Sequence, residues 1–482
     1  MGPKASLGLS AAVFAAAIGL LIAIEAWLWP IKGLWADELW SLWATNPQGG
    51  FLGNLRWRIL ADPNPPLYAM ALQVFRRLFH EPRTALVALN VASLVAGVAV
   101  VLATSWRRAP RLGLLSCAAF LLSGPVVAYT LEGRHYALPM AVVFAAAWLS
   151  AWMLRAGVTR TGVGALALAG LLASGTHVFA GFMTGSLGVG FALYALAGRR
   201  RDLWAPAVAL CFSSGLVLAA FAVMAASHTG EMSWVIFDVP SVVEALKFVS
   251  DLQFGPLLGV LLFAGFLAVC VAARRGLDLI AVFGAAIVLF VVAPIAISFV
   301  VPVIVGRYWM VGAPAIGVLA AFLIRDLWIQ PTPDRLRNVA TLLALAAWAI
   351  GAAAGPFAAR KVLLDEMVWA GPTVARLAQA CPAGSINVRP PFGSPFIELY
   401  PTAAGLPSAT FRAIAAGTPP TLRTPAPCPV LGWAEHVDWM LLKPLSDAQL
   451  AAMVAVGGEP ARDFRVVRRP SGFLVLAPDA RP

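Results

Sequence analysis

One feature constrains this chain above all others: apolar runs of about twenty residues follow one another along most of its length, and few charges interrupt them. The runs cover 7–29, 84–105, 112–128, 137–154, 162–178, 180–197, 204–226, 256–273, 278–300, 309–327 and 339–357, which makes about eleven membrane spans. Charged residues are 12% of the 482 and hydrophobic ones 60%, with a mean hydropathy of +0.82. A soluble domain carries roughly 25% charged residues, so this chain must place most of its surface in lipid. The expected fold is mainly α, a polytopic helical bundle followed by a small α/β domain. The stretch from Leu7 to Trp29 is too long for the apolar core of a secretory signal and reads as the first span.

The net charge of +12 does not point to nucleic acid, because the basic residues cluster in short connectors. If the N-terminus is cytoplasmic, Arg107, Arg108 and Arg111, then Arg155 and Arg160, Arg199 to Arg201, Arg274 and Arg275, and Arg325, Arg335 and Arg337 all fall on the cytoplasmic side. This holds only if 66–79, which opens at Pro65-Pro66 and holds Arg76 and Arg77, lies on the membrane surface rather than crossing. The outer side then receives a long first loop (30–83), the segment Tyr129–Tyr136, a tight turn at Thr176-His177, a loop at 227–255, the segment around Arg307-Tyr308, and the tail from 358.

The tail is rich in Pro, Gly and charge. Helices are expected over 361–380 and 446–456, and β-prone runs at 385–388, 436–442, 464–468 and 473–477, the last two reading as a hairpin. Cys381 and Cys428 are the only cysteines in it, and an oxidising compartment favours their pairing as a disulfide. Cys117, Cys211 and Cys270 lie in apolar runs, where a small thiol needs no function.

The candidate chemistry gathers on the outer side. Asp37 and Glu38 stand among Trp29, Trp35, Trp40 and Trp43; the plain alternative is an interfacial amphipathic helix. The same loop ends in Asp62-Pro63-Asn64-Pro65-Pro66-Leu67-Tyr68, which also reads as a rigid turn. The run Tyr129-Thr130-Leu131-Glu132-Gly133-Arg134-His135-Tyr136 is denser in polar groups than a connector needs. His177 at its turn and Arg307-Tyr308 at a span boundary complete the set, each with a structural alternative as an end group or a headgroup contact. Glu25, one turn before Trp29, reads as a snorkelling or helix-end residue unless it faces the cavity. Carboxylates at Asp37 and Glu38 can serve as bases, and Arg134, Arg307, His177, Tyr136 and Tyr308 can donate to a phosphate.

The order WADE, DPNPPLY, YTLEGRHYAL, TH and GRYWMVGAP, each on the outer side of the charge-derived topology, resembles the bacterial GT-C glycosyltransferases, among them protein O-mannosyltransferases and the transferase that places aminoarabinose on lipid A. The resemblance covers roughly 1–357. It implies a GT-C catalytic domain over 1–357 with a periplasmic C-terminal domain over 358–482, in the bacterial inner membrane. It also implies a polyprenyl-phosphate-linked sugar as donor, transfer with inversion at the outer face, and Asp37 as the base that activates the acceptor. Glu38 would assist it, with Asp62, Asn64, Tyr68 and Glu132 supporting the acceptor or the loop. The acceptor would be lipid A or core glycolipid, another lipid, or a protein. Relatives often carry His or Lys where this chain has Asn64, which shifts the phosphate contact toward Arg134 and Arg307. Some GT-C enzymes use a divalent metal ion; Asp37, Glu38, Asp62, Glu132 and His135 could supply ligands, though no spacing demands one. Two other readings stand beside this one: a transporter or lipid flippase without transfer chemistry, and an assembly protein whose tail is a docking module.

Overall fold

The computed structural model describes residues 3–29, 36–60, 64–132, 134–198, 200–225, 239–255, 257–299, 303 and 306–362, together with seven short strands between 386 and 478. α1 (Pro3–Leu28) leads into first-loop helices α2 (Ala36–Ala44), α3 (Phe51–Asn54) and α4 (Leu67–Leu78). The bundle continues with α5 (Pro82–Ser105), α6 (Pro110–Leu121), α7 (Gly124–Tyr129), α8 (Ala137–Ala156), α9 (Arg160–Thr176), α10 (Val178–Leu196) and α11 (Trp204–Ala225). It closes with α12 (Val239–Phe254), α13 (Leu257–Ala272), α14 (Leu277–Ser298), a 3-10 segment Gly306–Gly312, α15 (Ala313–Ile329) and α16 (Asp334–Val362).

Every expected apolar run is helical. Among the described residues eight helices are long and apolar enough to cross a membrane, or nine if the pair on either side of Gly255, bent by 76°, is one span. The two remaining runs differ for local reasons. The run at 112–128 breaks at Leu122-Ser123, because Pro125 starts a new helix there, so α6 has 12 residues and α7 has 6. The run at 162–178 is α9, of 17 residues, capped by Thr159, whose side chain accepts from the Gly162 N–H at 3.1 Å. Segment 66–79 is α4, 12 residues long and too short to span.

α8 is the axis of the bundle: 83% of its span is buried, against 17% for the span in α1. Its many alanines allow neighbours to come close; a Cβ at Gly97 of α5 would lie 3.0 Å from the Ala141 carbonyl oxygen. Gly190 of α10 fits against the Val282 carbonyl of α14 in the same way, with room for no side chain. Glu25 does not snorkel: both of its carboxyl oxygens are buried.

At the end of α8 that holds the basic connectors, Arg155 ties three helices together. Its Nη1 and Nη2 donate to Asp278 of α14 at 2.5 and 2.9 Å, and its Nε donates to Asp326 of α15 at 2.8 Å. Arg325 adds a second contact to Asp326 at 3.3 Å, and Arg200 donates to the Leu154 carbonyl at 3.0 Å.

The C-terminal strands are β1 (Ile386–Arg389), β2 (Phe411–Ala413), β3 (Val430–Trp433), β4 (Val437–Asp438), β5 (Lys443–Pro444), β6 (Phe464–Arg468) and β7 (Phe473–Pro478). Five form a mixed sheet in the order β2-β1-β3-β7-β6, with β1 parallel to β2 and β3 and β7 antiparallel to β3 and β6. The expected hairpin is the β6–β7 pair, with Val466 opposite Leu476. α16 runs to Val362; the rest of the expected helix to 380, the one at 446–456, and Cys381 and Cys428 lie outside the described residues. Cys117, Cys211 and Cys270 are free thiols.

Candidate functional site

The site forms at the opposite end of α8 from the Arg155 network, about 30 Å away at the rise of a 20-residue helix. Its frame is the segment between α7 and α8. Asn90, fully buried on α5, donates from Nδ2 to the carbonyls of Thr130 at 3.0 Å and Glu132 at 2.5 Å. One amide thereby fixes the backbone path, and the Tyr136 N–H closes a turn onto the Arg134 carbonyl at 2.8 Å. Glu132, Arg134, His135 and Tyr136 are all buried.

The first loop closes over this segment. On α2, Glu38, Ser41 and Leu42, with Thr45 just past its end, recur at helical spacing, and all four are buried. Arg134 Nη1 donates to Ser41 Oγ at 3.4 Å, so the helix that carries the acidic pair is bonded to the cationic segment. Asp37 lies on α2 one residue before Glu38, and its side chain is outside the described set, as is Asp62. Asn64 is half-buried at the entry to α4.

The rings meet in a continuous cluster. Tyr68 of α4 meets His135 edge-on at 5.8 Å between ring centres. His135 lies 4.8 Å from His177 and 5.3 Å from Tyr136, and His177 lies 4.9 Å from Tyr308 of the 3-10 segment. His177 is the single residue between α9 and α10; its Nδ1 accepts from the Phe179 N–H at 3.1 Å and so caps α10. Arg307, beside Tyr308, acts electrostatically on His135, Tyr136 and His177.

The buried polar atoms Tyr68 Oη, His135 Nε2, Tyr136 Oη and His177 Nε2 have no hydrogen-bond partner among the described residues. A buried polar atom left unmade costs roughly 1–3 kcal/mol, so such a cluster marks a place for a ligand. Burial, reinforced by Arg134 and Arg307, pushes His177 down to about 3; burial, His177 and the two arginines hold His135 well below its usual value. Both imidazoles are therefore neutral near pH 7, and the arginines are the fixed cations. Burial also raises the Tyr68 and Tyr136 hydroxyls, with Glu38 adding to the effect on Tyr68, so both phenols keep their protons. Two guanidinium groups with neutral donors around them suit an anion such as a phosphate, and the adjacent α2 carries carboxylates.

The structure brings together Glu38, Tyr68, Glu132, Arg134, Tyr136, His177, Arg307 and Tyr308. His135, read from sequence only as a candidate metal ligand, stands at the centre of the ring cluster; its place between Arg134 and Tyr136 in the same polar run was the available signal. Asn90 and Ser41 had no such signal. Among the described residues no three His, Cys, Asp or Glu side chains gather into a metal-binding group.

The described helices make a polytopic helical membrane protein. No family model matches the sequence, and no curated protein matches it either. Among solved structures, the crystal structure of ArnT from Cupriavidus metallidurans bound to undecaprenyl phosphate is similar over 97% of this chain and 98% of its own, with a TM-score of 0.53 and 14% identity. The apo structure of the same ArnT covers 96% of this chain and 98% of its own at 14% identity, with a TM-score of 0.49.

Proposed function

We propose that this chain is a membrane glycosyltransferase that moves a sugar from a polyprenyl-phosphate-linked donor to an extracytoplasmic acceptor. The observation that carries the reading is the buried junction of Arg134 and Arg307 with the unpartnered atoms of Tyr68, His135, Tyr136 and His177. It lies in a fold shared with a protein whose structure holds undecaprenyl phosphate. The protein sits in the bacterial inner membrane, the site faces the periplasm, and residues 358–482 belong to a periplasmic domain; the basic connectors at the other end support this orientation.

In this reading Asp37 accepts the proton of the acceptor hydroxyl as its oxygen bonds to the anomeric carbon. The carbon–oxygen bond to the polyprenyl phosphate breaks, and its electron pair leaves with the phosphate, giving inversion. Arg134 and Arg307 stabilise the charge that develops on the departing oxygen, and Tyr136, Tyr308 and His177 add donors. A phosphate leaves without a general acid, so one base suffices. Glu38, buried beside Asp37, orients it or shares its role. Asp62, Asn64, Tyr68 and Glu132 shape the acceptor side.

The test is single-turnover transfer from a radiolabelled polyprenyl-phosphate sugar by the purified protein. Base catalysis contributes roughly 10²–10⁴-fold, so Asp37→Asn should lose at least about a hundredfold while donor binding survives. Near-normal transfer in Asp37→Asn with none in Glu38→Gln would move the role to Glu38. No transfer by the unaltered chain, with translocation of the lipid intact, would hand it to the flippase reading.

A further inference from the structure

α2 is held by a second arginine besides Arg134. Arg76, near the end of α4, donates from Nη1 to the Leu42 carbonyl at 2.8 Å. α4 is thereby tied to the helix that bears Asp37 and Glu38, and its buried positions are Tyr68, Leu72 and Gln73. Gln73 stands one turn before Arg76 on neighbouring positions of that face. It is 2% exposed, and both atoms of its amide, Oε1 and Nε2, are buried with no hydrogen-bond partner. Arg76 Nε is also buried without one. Leu or Met would fill this position without leaving a polar group unmade, so a buried amide here points to something that meets it.

The chemistry of the orphan groups narrows what that is. A primary amide offers a donor and an acceptor side by side, and an alcohol hydroxyl answers both. A phosphate or carboxylate would set its oxygens against Oε1. Arg76 Nε adds one donor, suited to a ring or bridging oxygen. Gln73 follows Tyr68 by five residues, a rise of about 7.5 Å along α4.

We propose that Gln73, with Arg76 Nε, is a subsite for the hydroxyls of a glycan on the acceptor. The proposal rests on the transferase reading for the word acceptor, but the binding itself does not require a donor. The donor phosphate takes the arginine side of α2, and the acceptor sugar approaches along α4.

The experiment is equilibrium binding to the full chain in lipid nanodiscs. The probes are a radiolabelled dodecyl glucoside, which has hydroxyls and no charge, and dodecylphosphocholine, which has a phosphate and no hydroxyls. Losing the amide's two hydrogen bonds should weaken glucoside binding by roughly tenfold in Gln73→Leu. Phosphocholine binding should be unchanged, and the thermal midpoint unchanged or raised, because an unmade polar pair has been removed. Gln73→Asn keeps the amide one methylene short and should fall between the two, which decides the matter if the Leu variant does not fold. Competition by maltose as strong as by the lipid-borne sugar would assign the subsite to a glycan on a soluble carrier; weaker competition assigns it to a glycolipid. Glucoside affinity unchanged in both variants would overturn the proposal and leave the amide to a water molecule. Equal weakening of phosphocholine would overturn it in favour of an anion site. Because no polyprenyl donor is present, a failed transfer assay would sink the transferase reading and leave this result standing.

Discussion

The two ends of α8 solve the same problem in opposite ways. Both place arginines among buried polar groups. At the Arg155 end the charges are matched within the chain: one guanidinium takes two aspartates on two helices, and a second arginine helps to hold Asp326. At the Arg134 end, hydroxyls and imidazoles are buried with polar atoms that no described residue meets. The first arrangement is complete without a ligand and serves to join helices. The second is incomplete, and the cost of keeping it so is borne by the rest of the bundle. Burial and charge alone therefore do not mark a functional site in a membrane bundle; several unmet hydrogen bonds gathered in one ring cluster are the added sign.

Substitutions at both ends test this contrast, the largest effect first. Arg155→Ala leaves Asp278 and Asp326 without their shared partner, and breaking a buried pair costs on the order of 3–5 kcal/mol; since Asp278 is partly exposed and Arg325 stays near Asp326, about 3 kcal/mol is expected. Denaturant unfolding in detergent should show that loss, and donor affinity of the folded fraction should not change. Arg134→Ala should do the reverse. A charge-assisted hydrogen bond to a phosphate is worth roughly 1.5–3 kcal/mol, so donor affinity should fall by at least about tenfold, with stability changed by less than in Arg155→Ala. Lys should restore part of it, because it lacks the planar fork. Equal stability losses at the two ends would erase the distinction.

The smallest effect is a pH dependence. His177 is held at about 3 in the folded chain against an ordinary 6.5. The unfolded chain therefore binds a proton as pH falls through 6.5 and the folded chain does not, so stability declines from pH 6.5 toward 3. His177→Gln should flatten part of that decline in thermal denaturation, while neutral substitutions near Arg155 should leave it. A decline unchanged in the variant would mean that His177 is not buried neutral.

The apolar runs, the basic connectors and the polar motifs were legible because each is local: length, charge and adjacency are properties of a stretch of chain. That local reading placed α4 as a short helix, the β6–β7 hairpin, and eight of the residues that meet at the site. The Arg155 network was not legible, since Asp278 and Asp326 lie 123 and 171 residues away, and the basic connector was read only as a topology signal. Asn90 was hidden inside an apolar run, where an amide carries no periodic signature; only the fold shows that it binds the 130–132 backbone. The break between α6 and α7 came from Pro125, which the span reading passed over because the apolar composition continues through it.

The cap on α10 has a consequence for where one proton resides. The backbone N–H of Phe179 occupies Nδ1 of His177, so in the neutral ring Nδ1 is the bare nitrogen and the hydrogen is on Nε2. The helix start thus selects one tautomer, and the nitrogen left buried without a partner is a donor. The site is supplied with a hydrogen by a group that carries no charge near neutral pH. In nitrogen-15 spectra the ring should report a protonated Nε2 and an unprotonated Nδ1, a signature that is lost if the Phe179 N–H no longer reaches Nδ1.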